Sequence, residues 1–94
     1  MLDPKKFHFK TGHGSCIVRH GKILDFYLMS EEELAAVEKM LKIFSELLED
    51  IEFGYLEKND FKFAFFRYGE DFLVFPVREE NLAEIQKLRG VALG

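Results

Sequence analysis

The chain has 94 residues, 48% of them hydrophobic, and its 17 acidic and 13 basic residues give a formal net charge of −4. This length and apolar content suit one domain with its own core, whereas the acidic balance without a Lys/Arg cluster argues against nucleic acid as a partner. No apolar run approaches the roughly 20 residues that cross a bilayer. We therefore expect a single soluble domain over residues 1–94, without membrane insertion, and the Glu/Lys-rich composition is typical of heat-adapted proteins.

The N-terminal part holds all three histidines, His8, His13 and His20, and the single cysteine, Cys16. We predict an irregular or extended segment over residues 1–13, followed by a strand. A rise of about 3.3 Å per residue would then separate His13 from His20 by roughly 23 Å, too far for one zinc ion with ligands about 2.0–2.3 Å away. We therefore expect no metal and a buried structural role for Cys16; the open alternative is that KFHFKT folds back as a hairpin and brings His8 near Cys16 for a metal or haem. Since GHGSC is no P-loop and no base adjoins Cys16, we also expect no cofactor and no catalytic residue. A lone cysteine excludes an intramolecular disulfide and fits a reducing, cytoplasmic location.

A β-hairpin and a long helix are predicted next. Two apolar runs at residues 15–19 and 22–28 flank a His-Gly pair that is typical of a tight turn. Ser30 is a good N-cap for a helix over about residues 31–50, and Glu33 can complete a capping box with it.

The sequence of the C-terminal half predicts three antiparallel strands in a meander, followed by a last helix. Two-residue turns join three extended segments, which lie at residues 51–58, 61–68 and 71–77. Pro76 cannot donate to a ladder, so it should mark the end of its strand or a bulge. Asn81 is a candidate N-cap for the last helix, and Gly90 suits its end. The predicted order is ββαβββα, an α+β fold.

The long predicted helix has an apolar arc that covers about half its circumference, wider than the roughly 100° that a surface helix usually needs. One stripe should face the sheet, and it comprises Leu34, Val37, Leu41, Phe44, Leu48 and Ile51. A second stripe adjoins it and comprises Ala36, Met40, Ile43 and Leu47. The rest of the chain could cover the second stripe, but a second copy of the chain is the more economical cover.

This pattern resembles the Roadblock family, which is related to dynein light chains and to regulators of small GTPases. The resemblance covers about residues 14–90, and its three parts read GSCIVRHGKILDFYL, EEELAAVEKMLKIFSELLEDI and FGYLEKNDFKFAFFRYGEDFLVFPVREENLAEIQKL. Members of the family usually begin with an additional helix before the first strand, which MLDPKKFHFKT does not resemble. Longin and profilin domains also begin with a hairpin and a helix and remain rival assignments.

The resemblance implies a five-stranded antiparallel sheet in the order 2-1-5-4-3 with the long helix on one face, a two-layer sandwich. It also implies a homodimer in which the long helices pack together and the third strands align edge to edge. The expected interface then comprises Ala36, Met40, Ile43, Leu47, Phe53, Tyr55 and Glu57. The implied partners are a small Ras-like GTPase or another Roadblock-type chain.

The alternative function is a profilin-like or longin-like sensor that binds a small ligand. Its pocket would use the rings of the Phe-rich strands, namely Phe61, Phe63, Phe65, Phe66, Phe72 and Phe75. Alternation of these rings is also the ordinary signature of a sheet with one covered face. Neither interpretation assigns the chain an enzymatic activity.

Overall fold

The structure is a computed structural model that describes residues 2–47, 49–79 and 81–93. Its elements in chain order are α1 (Pro4–Thr11), β1 (Ser15–Arg19), β2 (Lys22–Tyr27), α2 (Glu31–Glu38), α3 (Leu41–Glu46), β3 (Phe53–Lys58), β4 (Phe61–Tyr68), β5 (Asp71–Pro76) and α4 (Leu82–Leu93). One predicted position, Leu48 in the sheet-facing stripe, lies outside the described residues.

The strands form one five-stranded sheet in the order β2-β1-β5-β4-β3, and every neighbouring pair is antiparallel. The predicted α+β fold and strand order are therefore confirmed. Pro76 is the last residue of β5, as expected, and the N–H of Val77 beyond it donates to the carbonyl of Lys62 at 2.9 Å.

Helices pack on both faces of the sheet. On one face, α2 and α3 bury a core that includes Val37, Phe44, Phe65, Phe72 and Val74. On the other, α1 and α4 bury a core that includes Phe7, Phe66, Leu73, Phe75 and Ile85. The second helical layer adds to the predicted arrangement of one long helix on one face.

The N-terminal segment is helical, so the prediction of an irregular or extended segment over residues 1–13 is wrong. The side chain of Asp3 accepts hydrogen bonds from the N–H groups of the first turn, including that of Lys5 at 2.9 Å. Gly12, with a φ of 80°, ends the helix in the left-handed conformation. Phe7 is buried against the sheet while Phe9 is exposed, so the two rings lie on different sides of the segment, as in a helix and not in a strand.

The predicted long helix over residues 31–50 is two short helices in the structure. The capping box of Ser30 and Glu33 is present as predicted. The break falls at Lys39 and Met40, where the N–H of Met40 donates to the carbonyl of Val37, a tighter turn than an α-helix makes. Met40 is fully buried in the core and shares a helical face with the buried residues Ala36, Val37 and Phe44.

The last helix begins as predicted, because the side chain of Asn81 accepts a hydrogen bond from the N–H of Glu84 at 3.1 Å. It does not end at Gly90, however, and α4 continues to Leu93. Ala92 in this last turn packs against the core on the α1 side of the sheet, which accounts for the extension. In the described ranges no helix combines the length and the apolar character that a membrane span requires.

Candidate functional site

Most residues of the predicted helical interface pack within the chain's own core. Met40 is fully buried and Ala36 nearly so, both in the core beneath α2 and α3, and Leu47 packs partly against the same core. The prediction that these positions need cover from a second copy is therefore wrong for Ala36 and Met40. Ile43 remains exposed, with 41% of its surface accessible.

The predicted interface residues of β3 divide between packing and exposure. Phe53 and Tyr55 are half-buried against the core on the α4 side of the sheet. Glu57 is exposed, and its carboxylate lies 4.0 Å from the Nζ of Lys62 on the neighbouring strand. The phenolic oxygen of Tyr55 accepts a hydrogen bond from the N–H of Asn81, which ties β3 to the start of α4.

The two edges of the sheet differ in how open they are to a further strand. In β2, the register with β1 shifts between Ile17 and Val18, so that Leu24 is an extra, bulged residue. The carboxylate of Asp25 also accepts a hydrogen bond from the N–H of Phe26 at 2.8 Å. Bulges and local contacts of this kind protect edge strands from uncontrolled pairing.

The β3 edge has no such protection in the described part of the chain. All six residues from Phe53 to Lys58 pair with β4 in one continuous register. Among the described residues β4 is the only strand beside β3, so the other side of the β3 backbone has no strand partner there and can accept one. An extended second strand therefore fits β3 better than β2.

The histidines are placed in three different environments. His8 in α1 packs its ring against Tyr27, with ring centroids 5.4 Å apart. His13 packs against Phe75, and burial lowers the pKa of His13 while the charge of Glu84 opposes that shift. His20 lies at the exposed β1–β2 turn, 3.3 Å from a carboxylate oxygen of Glu70.

Cys16 is fully buried in β1, and this burial raises the pKa of its thiol to about 12. A thiol in this state is protonated at neutral pH, and the thiolate is the nucleophilic form. The predicted structural role of Cys16 is therefore confirmed. Among the described residues, no three His, Cys, Asp or Glu side chains come together as metal ligands.

The Phe-rich strands supply core rather than an open pocket. Five of the six rings named for the sensor alternative are buried, and they are Phe63, Phe65, Phe66, Phe72 and Phe75. Phe61 is half-buried and stacks on Phe63 with ring centroids 6.0 Å apart. A cleft of about 240 Å³ does open between β3, the end of β5 and α4, and Phe75, Tyr55 and the exposed Arg78 line it.

The fold and the open β3 edge define the chain as an α+β sheet domain with helices on both faces and one unprotected sheet edge. The chain is 34% identical over 85 residues to an uncharacterized protein of Archaeoglobus fulgidus, an alignment that spans 89% of this chain and 87% of the archaeal protein. It belongs to the same family as that protein. No family model matches the chain.

Proposed function

We propose that the chain is a cytoplasmic, non-enzymatic interaction module of the Roadblock type. In this proposal it forms a homodimer by pairing its β3 edge with that of a second copy, and the dimer binds a small Ras-like GTPase or another Roadblock-type chain. The observation that carries the proposal is a contrast between the two opposite edges of the sheet. The β3 edge pairs in one continuous register, whereas the β2 edge carries a bulge and the contact of Asp25 with its own strand.

The order of elements supports the resemblance more fully than the sequence did. The family pattern includes a helix before the first strand, and α1 occupies that position. The strand order is also the one that the resemblance implies. These likenesses concern the fold, and a fold by itself does not determine function.

The side chains around the β3 edge suit a protein interface. Phe53 and Tyr55 on one face of the sheet and Leu56 on the other are all half-buried, so a second copy could cover their remaining surface. Ile43 on α3 offers an exposed apolar contact between helices. Ala36 and Met40 take no part, because the chain buries them itself.

Affinity capture tests the proposed partner. The wild-type chain and the variant Ile43→Glu are used as baits in lysate of the native organism, and bound proteins are identified by mass spectrometry. We expect the wild type to enrich a Ras-like GTPase or a Roadblock-type chain and the variant to lose it, because a buried unpaired charge opposes the dimer contact.

Leu82→Glu is the matched control bait. Leu82 is also an exposed apolar residue, at 57% accessible surface, but it lies on α4. The Leu82→Glu bait should therefore enrich the same partner as the wild type. A preparation that carries a tightly held small molecule and enriches neither class of protein would contradict the proposal and favour the sensor, with the cleft beside Tyr55 and Arg78 as its site.

A further inference from the structure

Charge is unevenly divided along the chain. Residues 1–28 carry five Lys and Arg against two Asp, whereas residues 29–94 carry eight Lys and Arg against fifteen Asp and Glu. The first part is the region of α1, β1 and β2, so the β2 end of the sheet is basic although the whole chain is acidic.

The same end holds four of the five most exposed large apolar side chains among the described residues. Phe9 on α1 is 70% accessible, Leu28 after β2 is 61% accessible, and Leu24 and Phe26 in β2 are each 52% accessible. Exposed apolar residues that gather in one place mark an interaction site, whereas scattered ones do not. Phe9 and β2 are neighbours, since the ring of Phe9 lies 6.3 Å from that of Tyr27.

We propose that this end of the molecule is a second docking surface, which binds an acidic segment of another protein that also carries apolar side chains. We name it the β2 surface and define it by Lys6, Phe9, Lys22, Leu24, Phe26 and Leu28. It lies at the opposite edge of the sheet from β3, so it does not depend on the proposed dimer or on a GTPase partner.

The charges within the β2 surface favour an acidic partner. The ammonium groups of Lys5, Lys6 and Lys22 make no ion pair with any described residue. Asp3 and Asp25 keep their negative charges, because they accept hydrogen bonds only from neutral N–H groups, but the five Lys and Arg of residues 1–28 outnumber them. Net positive charge is thus available to a carboxylate of the partner.

An adjoining cleft of about 320 Å³ can receive an apolar side chain. Leu2, Ile17 and Leu24 supply its apolar wall, and Lys6 lines the same cleft. Its other charged residues are Asp3, Arg19, Asp25 and Asp71, of which Arg19 and Asp71 pair with each other. Because its acids outnumber its basic residues, this cleft would receive the apolar anchor alone, and the acidic residues of the partner would pair with lysines outside it, such as Lys5 and Lys22.

The geometry favours a protein segment over a membrane. Phe26 pairs with Cys16 and therefore lies on the α2 side of the sheet, whereas Leu24 lines the cleft on the α1 side. A protein segment can follow the edge and contact both sides along its length, whereas a flat bilayer would have to meet the edge end-on. The bulge and the Asp25 contact oppose strand addition, so side chains should carry the docking.

A second copy of the chain is the less suitable occupant. If the acidic part of one copy docked on the β2 surface of the next, the contact would be head to tail. Such contacts give a closed ring only when the rotation between copies closes, and otherwise generate open chains with one free surface at each end. We therefore commit to a different, acidic protein.

Amide NMR of the ¹⁵N-labelled protein tests this inference with a peptide in which Glu alternates with Leu. We expect its amide shifts to concentrate at residues 5–10 and 22–28, and binding to weaken as salt is added. The matched peptide in which Lys replaces each Glu should bind at least about tenfold more weakly. Equal responses to the two peptides, or no localised shifts, would overturn the inference.

Variants complete the test. Phe26→Ser and Lys6→Glu should each weaken binding about tenfold or more, while Leu82→Ser and Lys87→Glu, exposed positions on α4, should not. Since all four positions are exposed, the amide spectra should show each variant folded. The inference would be overturned in favour of a membrane if vesicles of anionic phospholipid shifted the amides of the β2 surface and the peptide did not. It would be overturned in favour of a second copy if these shifts appeared on raising the protein concentration alone.

Discussion

Arg19 and Asp71 face each other across β1 and β5 and form a two-point ion pair, with the Nε of Arg19 2.5 Å from one carboxylate oxygen and a terminal nitrogen 2.9 Å from the other. Asp71 is buried, so removal of its partner would leave a carboxylate with little access to water. We predict that Arg19→Met lowers the midpoint of chemical denaturation more than His20→Gln, which removes the exposed contact with Glu70. Equal midpoints for the two variants would contradict this.

Gly14 is required by a close backbone contact. A Cβ atom at this position would lie 2.0 Å from the carbonyl oxygen of Leu28. Gly14→Ala should therefore lower the free energy of unfolding by about 1–3 kcal/mol through forced displacement of the backbone. Gly90→Ala is the control: no atom lies within 4 Å of the added Cβ, and alanine in a helix should raise the free energy by about 0.5–1 kcal/mol.

Met40 and Ile43 were predicted to lie on the same stripe, and the structure separates them. Met40→Ala should lower the free energy of unfolding by about 2–5 kcal/mol because it leaves a cavity in the core. Ile43→Ala should lower it by about 1 kcal/mol or less, because Ile43 is exposed. Urea denaturation at one protein concentration measures both changes. A larger decrease in the free energy of unfolding for Ile43→Ala than for Met40→Ala would contradict the prediction.

The burial of His13 predicts a pH dependence of stability. Its pKa in the folded chain is below the ordinary value of 6.5, so the unfolded state takes up a proton first as pH falls. The free energy of unfolding should therefore decrease below about pH 6.5, and His13→Phe, which keeps a ring against Phe7 and Phe75, should reduce this decrease. Denaturation curves at pH 5.5 and 7.5 measure it, and an unchanged difference in the variant would contradict the prediction.

The elements that local signals specify were predictable from the sequence. Turn residues located all three hairpin turns, Ser30 and Glu33 started α2, and Asn81 started α4. The helix α1 also had signals, namely Asp3 as N-cap, Pro4 in the first turn and Gly12 at the end. The alternation of Phe7 and Phe9 obscured them, because it is typical of a strand.

The features that depend on tertiary packing were not predictable. Periodicity assigned Met40 to the outer stripe, but the core beneath α2 and α3 includes its side chain, so the buried face of the helical segment is rotated from the predicted one. Likewise, Leu24 and Phe26 appear as ordinary strand residues in the sequence. Their exposure follows from the bulge and from the position of β2 at the edge of the sheet.

The pairing of β3 with a second copy is the central claim, and amide hydrogen exchange resolved by residue, together with the mass in solution, tests it most directly. In a dimer of about twice the 11.0 kDa chain mass, all amides between Phe53 and Lys58 should exchange slowly, because alternate groups bond to β4 and to the second β3 strand. Ile43→Glu should restore the monomer mass and speed the exchange of the outward-facing set. A wild-type chain of monomer mass in which every second amide of β3 exchanges rapidly would contradict the account.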